Sequence, residues 1–174
     1  MTLNAGRDHP GEDAMAEDLR DQPRAATAPD GLSCESAVLS LCLRCRDGHE
    51  EDFGDLRGGA RLAEAVLDAG IASCGLKVRG VHCLSQCKRP CVVAVSGPDR
   101  FTYVFGDLHP ALDAAAVVAL AQLYVARPDG FMARADRPKP MQAGVLGRVP
   151  PLGWRGGAVE TVDLLLQSAS ETKP

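Results

Sequence analysis

The alternation of apolar and polar positions becomes readable from residue 36 onward. Ser36-Ala-Val-Leu-Ser-Leu-Cys42 is a short apolar run that suits a buried strand. A polar, glycine-containing loop follows from Arg44 to about Asp55. Leu56 to Ala69 then takes a helical period, with Leu62, Val66 and Ala69 sharing a face and Ala63 and Leu67 beside it. Gly70 offers a helix stop. Lys77-Val-Arg-Gly-Val81 reads as a second strand and Cys83 to Cys91 as a tight loop at its end. Val92 to Ser96 and Phe101 to Phe105 read as third and fourth strands. The turn residues Gly97-Pro98-Asp99-Arg100 between them predict an antiparallel hairpin. Pro110 suits the first turn of a second long helix reaching about Val125, capped by Asp107 or His109. Leu112, Ala116, Ala119 and Leu123 recur at helical spacing and are expected to face the sheet.

The resulting order is strand, helix, strand, strand, strand, helix. One mixed sheet with helices packed against it buries all of these faces, so the fold class is α/β. Three segments are expected: a disordered acidic tail over 1–33, a folded domain over 34–127, and a Pro/Gly-rich C-terminal extension over 128–174. In the extension, Arg148-Val-Pro-Pro151 reads as a rigid extended piece and 158–168 as a short terminal helix. The tail composition cannot offset its ordering entropy.

Charge sharpens this division. The formal net charge is -4, and residues 1–33 carry seven acidic and three basic side chains. The body is therefore balanced and has no electrostatic footprint for nucleic acid. No stretch reaches the roughly 18 apolar residues of a membrane span, and no basic-then-apolar leader opens the chain. A cytoplasmic location away from the membrane is the expectation. Thiols stay reduced there, so seven cysteines read as ligands or redox groups rather than as a disulfide framework.

The cysteines are unevenly placed. Cys42 and Cys45 follow the first strand, and Cys83 and Cys87 follow the second. If those strands are parallel neighbours, both pairs emerge at the same edge of the sheet, where α/β folds commonly hold ligands. Four thiolates satisfy an iron–sulfur centre or a structural zinc equally well. Cys91 is open between a direct ligand, a supporting thiol and core packing. Cys74 reads as an ordinary buried thiol and Cys34 as incidental. Arg44, Arg46, Lys88 and Arg89 flank the pairs and either favour thiolates or are solvated loop charges. Pro90 fixes its own φ and helps shape the loop.

Val81-His-Cys-Leu-Ser-Gln-Cys-Lys-Arg-Pro-Cys-Val-Val-Ala-Val95 and Phe101-Thr-Tyr-Val-Phe-Gly-Asp-Leu108 resemble DUF1636, a bacterial family of predicted metal-binding proteins. Cys42-x2-Cys45, Leu123-Tyr124, Asp129-Gly130 and Arg148-Val-Pro-Pro151 fit the same resemblance, which covers about residues 36–152. More broadly, the element order and the spacing of Cys83 and Cys87 are similar to thioredoxin-like [2Fe-2S] ferredoxins. The first pair is more closely spaced here than in those ferredoxins. The resemblance implies a thioredoxin-like fold, a [2Fe-2S] cluster held by Cys42, Cys45, Cys83 and Cys87, and electron transfer with a redox partner. A homodimer is common in that broader fold.

Three functions compete: a [2Fe-2S] electron carrier, a zinc-binding or metal-handling protein using the same cysteines, and a thiol–disulfide oxidoreductase working through Cys42-Leu-Arg-Cys45. A stand-alone enzyme is less favoured. His9, His49, His82 and His109 sit in unrelated segments, and there is no nucleophile elbow, phosphate loop or dinucleotide fingerprint.

Overall fold

The structure is a computed structural model and describes residues 37–154. The expected acidic tail with Cys34, and the helix expected over 158–168, lie outside the described residues.

Strand β1 (Val38–Cys42) is central, and its residues are buried except for the half-buried Val38. On one side it pairs in parallel with β2 (Lys77–Val81), with Leu39 opposite Val78 and Cys42 opposite Val81. On the other it pairs antiparallel with β3 (Val93–Ser96), which pairs antiparallel with β4 (Thr102–Phe105). These four lie in the order β2-β1-β3-β4, the mixed arrangement of a thioredoxin-like domain. The register aligns Leu39 and Leu41 of β1 with Val95 and Val93 of β3, and these with Tyr103 and Phe105 of β4. Period-two alternation places all six on one face, and all six are buried.

Helix α1 (Gly58–Asp68) makes the crossover between the parallel strands. Its Leu62 and Val66 enter the core, as their spacing predicts. Ala69 and Leu67 do not, and Leu67 is 56% exposed. Gly70, at φ 85°, ends the helix, and a 3-10 turn over Ile71–Cys74 leads to Gly75 and on into β2. Both glycines adopt the left-handed region that other residues rarely enter.

The second long helix, α2 (Ala114–Ala126), begins four residues after Pro110. A turn precedes it, in which the Ala111 and Leu112 amides donate to His109 Nδ1, each over 3.2 Å. The His109 amide in turn donates to Asp113 Oδ2 over 2.7 Å. Neither expected residue caps the helix: its N-cap is Asp113, with no side-chain cap bond, while His109 holds the turn before it and Asp107 is engaged elsewhere. The buried face is also different from expectation. Ala114, Val117, Leu120, Ala121 and Tyr124 are buried, whereas Leu112 is 76% exposed. Almost every position of AAAVVALAQLYVA is apolar, so the sequence period does not select a face, and packing does.

The stretch after Arg127, expected as an extension, supplies a short helix α3 (Lys139–Ala143) and a fifth strand β5 (Val145–Val149). β5 pairs antiparallel with β4 and completes the order β2-β1-β3-β4-β5. The connecting segment is tied to the core by Tyr103, whose hydroxyl accepts from the Met132 amide over 3.0 Å. Buried Arg137 donates through Nε and Nη2 to the Met132 carbonyl over 3.1 and 2.7 Å. Among the described residues no helix is long and apolar enough to cross a membrane.

Candidate functional site

The parallel pairing of β1 and β2 sends both chains out at the same edge. The Leu43 amide donates to the Val81 carbonyl over 2.8 Å, which prolongs the pairing one step past Cys42. Leu43 and Arg44 then turn, and Cys45 follows. From the neighbouring strand, Val81 leads through His82 to Cys83. The Cys42 thiol points across this junction and contacts the His82 carbonyl at 3.9 Å. The two cysteine pairs are thus brought to one sheet edge by strand direction alone.

They are brought into different surroundings. Cys42 and Cys45 are buried at 4% exposure each, under the start of α1. The Gly59 amide donates to the Cys45 carbonyl over 3.1 Å. The helix approaches so closely that a Cβ on Gly59 would overlap the Cys42 carbonyl oxygen and lie 3.2 Å from the Cys45 Cβ. Burial pushes the Cys45 thiol up to about 12, with the adjoining Cys42 and then Cys87 adding to the shift. Cys91 is fully buried, its amide donating to the Leu108 carbonyl over 3.3 Å. Its thiol is also pushed up to about 12, first by burial and then by Cys45. Of the three readings open for Cys91, core packing is the one its surroundings fit. Cys74 is buried, as expected.

Cys83 and Cys87 are exposed on the loop between β2 and β3. The loop folds back at Ser85, which takes φ 57°, and its amide donates to Cys83 Sγ over 3.2 Å. That bond is the main reason the Cys83 thiol lies below its ordinary range; burial opposes it as the next-largest influence, and Cys87, the Ser85 side chain and the charge of Arg44 lower it further. A thiolate here faces the Ser85 amide while staying open to a partner.

The flanking cations do not act alike. Arg44 is the one that bears on Cys83. Arg89 is ion-paired with Asp107, its Nε donating to Oδ1 and Oδ2 over 2.8 and 2.7 Å, which pins the cysteine loop to the segment after β4. The same pairing holds the Asp107 carboxyl below the usual carboxylate range. Arg46 lines a polar hollow with Glu50, Glu51, Asp55 and Arg57. Lys88 is exposed and Pro90 half-buried. Ser85 and Asp107 escape sequence reasoning. An amide's direction depends on a left-handed φ that a serine does not announce, and Asp107 reads there only as a helix cap.

The metal-centre expectation is overturned. Among the described residues no three or more His, Cys, Asp or Glu side chains are grouped to hold a metal ion. Neither the [2Fe-2S] cluster nor zinc at Cys42, Cys45, Cys83 and Cys87 is supported. Such a centre needs four sulfurs converging as thiolates. Here one pair is buried under α1, and the other stands on an exposed loop. The expectation that Cys42-x2-Cys45 is the attacking pair of an oxidoreductase meets the same burial.

Residues 39–151 match the model of a family described as a protein of unknown function, DUF1636. No curated protein matches the chain. A solved structure of a thioredoxin-like [2Fe-2S] ferredoxin from Aquifex aeolicus aligns at 17% identity and a TM-score of 0.42, covering 70% of this chain and 99% of that one.

Proposed function

Since the chain belongs to the DUF1636 family, whose function is described as unknown, its activity has to be read from its own side chains, and we propose that it performs thiol–disulfide exchange with a protein partner through Cys83 and Cys87. The observation that carries this reading is the Ser85 amide directed at the exposed Cys83 sulfur over 3.2 Å, with the exposed Cys87 four residues along the same loop.

In this reading the Cys83 thiolate attacks one sulfur of a partner disulfide. A Cys83–partner mixed disulfide forms, and the partner's other sulfur leaves as a thiolate and takes a proton. Cys87 then attacks the Cys83 sulfur, and the partner's remaining thiolate departs. The partner gains two electrons and two protons, and the chain is left with a Cys83–Cys87 disulfide. A dithiol reductant returns it by the reverse steps. Ser85 and Arg44 stabilise Cys83 both as attacking thiolate and as leaving group.

Glutathione disulfide serves as the probe. Acid-quenched protein is expected to show a stable glutathione adduct on Cys83 in the Cys87→Ser variant and a Cys83–Cys87 bond in the unaltered chain. Reaction at Cys83 no faster than at a cysteine of the urea-unfolded chain would overturn the reading.

A further inference from the structure

The strand that leads to Cys83 is an open edge of the sheet. β2 stands first in the order β2-β1-β3-β4-β5, and among the described residues no strand lies on its other side. We propose that this edge receives the partner of the exchange as an added antiparallel strand, with acidic residues at alternate positions and apolar ones between them. The inference rests on the exchange activity proposed for Cys83 and Cys87 and names the kind of partner that activity takes.

The backbone presents the edge. The Lys77 amide donates to the Ala37 carbonyl over 2.9 Å, and the Val81 carbonyl accepts from the Leu43 amide over 2.8 Å. Lys77, Arg79 and Val81 thus turn their peptide groups toward β1. Successive residues of a strand turn theirs to opposite sides, so Val78 and Gly80 each direct an N–H and a C=O away from the sheet. An added strand can bond all four. Beyond Gly80 the chain runs through Val81 and the exposed His82 to the exposed Cys83. A segment docked on β2 therefore continues along the chain to the sulfur it reacts with.

The side chains decide what that segment carries. Lys77, Arg79 and Val81 lie on one face with Val38, Ser40 and Cys42, their partners in the register. Lys77 and Arg79 are exposed, and among the described residues neither is ion-paired. Arg79 is anchored over that face by its Nε, which donates to the buried Ser40 Oγ over 2.9 Å. The opposite face of the edge offers half-buried Val78 and the bare backbone of Gly80. A neighbouring strand thus meets positive charge on one face and a small apolar strip on the other. Opposite charges across two strands stabilise their pairing and like charges oppose it. This works against a second copy of the chain, whose β2 would set Lys77 and Arg79 against the same two cations. In antiparallel register, with a partner cysteine opposite Cys83, the acidic residues opposite Arg79 and Lys77 fall four and six places after that cysteine.

The probe is a synthetic peptide, Cys-Gly-Ser-Val-Glu-Val-Glu, blocked at both ends, with its cysteine held as the mixed disulfide with nitrothiobenzoate. The Cys83 thiolate attacks the peptide sulfur, and nitrothiobenzoate leaves as a coloured thiolate. Cys87 then attacks the Cys83 sulfur, and the peptide departs as a thiol with the proton from Cys87. At low salt, colour should appear about tenfold faster than with a peptide bearing lysine in place of both glutamates. The gap should narrow in about 1 M sodium chloride, and Lys77→Glu should shrink it as well. Docking is read separately, by NMR, from amide exchange in the full chain carrying Cys83→Ser and Cys87→Ser, with serine replacing the cysteine of the peptide. Slower exchange at Val78 and Gly80 than in the free chain is expected. Equal rates for the two peptides, or unchanged exchange at both amides, overturns the proposal. So does exchange in the free chain that slows at these amides as the chain is concentrated, which assigns the edge to a second copy. Failure of the exchange reading shows differently, as a Cys83 inert toward glutathione disulfide while the peptide still protects Val78 and Gly80.

Discussion

The Ser85 amide donates to the Cys83 sulfur over 3.2 Å, two residues along the chain and across a backbone turn at φ 57°. A serine in the left-handed region is uncommon, and here it turns an N–H toward the one atom in the loop that profits from holding a negative charge.

Alkylation of Cys83 by iodoacetamide should therefore reach half its maximal rate at a lower pH than alkylation of the unfolded chain. A depressed folded-state pKa leaves more thiolate at neutral pH, and rate follows thiolate. Arg44→Ala removes one of the lowering influences and should move the midpoint upward. Identical midpoints in folded and unfolded chains would refute this account of Cys83.

Alkaline stability should fall steeply. Cys45 and Cys91 are both raised to about 12 by burial, so the folded chain keeps protons that the unfolded chain releases once the pH passes the ordinary thiol value. Their contribution is complete below that value and is lost as the pH rises toward 12. Each retained proton corresponds to a slope of about 1.4 kcal/mol per pH unit. Urea unfolding under reducing conditions between about pH 8 and pH 11 should show the decline. Cys91→Ala should make the slope shallower, and a slope unchanged by that substitution would exclude Cys91 as its source.

Gly59→Ala should be among the most damaging small substitutions. The added methyl would overlap the Cys42 carbonyl oxygen, a backbone atom that cannot swing aside. A cost of about 3 kcal/mol or more is expected, at the upper end for overpacking. Denaturant unfolding measures it. Gly48→Ala is the control: its new Cβ meets nothing, so only the strain at φ 84° remains. Equal losses at the two positions would argue against a close α1–β1 contact.

Tyr103→Phe should cost about 1–3 kcal/mol, because the buried Met132 amide loses its acceptor. The Met132 carbonyl loses the Tyr103 hydroxyl at 3.3 Å but keeps its bonds from Arg137, so the amide is the group left without a partner. Faster hydrogen exchange at Met132, with β1 and β3 unaffected, is the accompanying signature. A fully stable variant would show that water or a neighbouring group satisfies that amide.

Much of the frame is legible in the residues. The apolar run ending at Cys42, the alternation in Lys77–Val81 and the turn before Phe101 are local signals, and their strands stand where those signals put them. β5 was less visible. Val145–Val149 contains a glycine and an arginine, sits within a Pro/Gly-rich stretch, and becomes a strand by pairing with β4. The face of α2 was invisible for the opposite reason, since nearly all its positions are apolar and none is marked for the outside.

By itself the sequence determined which cysteines would follow neighbouring strands. Cys42 and Cys45 end one strand, Cys83 and Cys87 follow its neighbour, and parallel pairing carries both to one edge. Only the tertiary structure decided what each thiol is. The approach of α1 at Gly59 buries Cys42 and Cys45, while the turn at Ser85 leaves Cys83 exposed and supplies it with a donor. Ionisation answers to desolvation and to the direction of nearby dipoles, and neither is written in the spacing of cysteines along a chain.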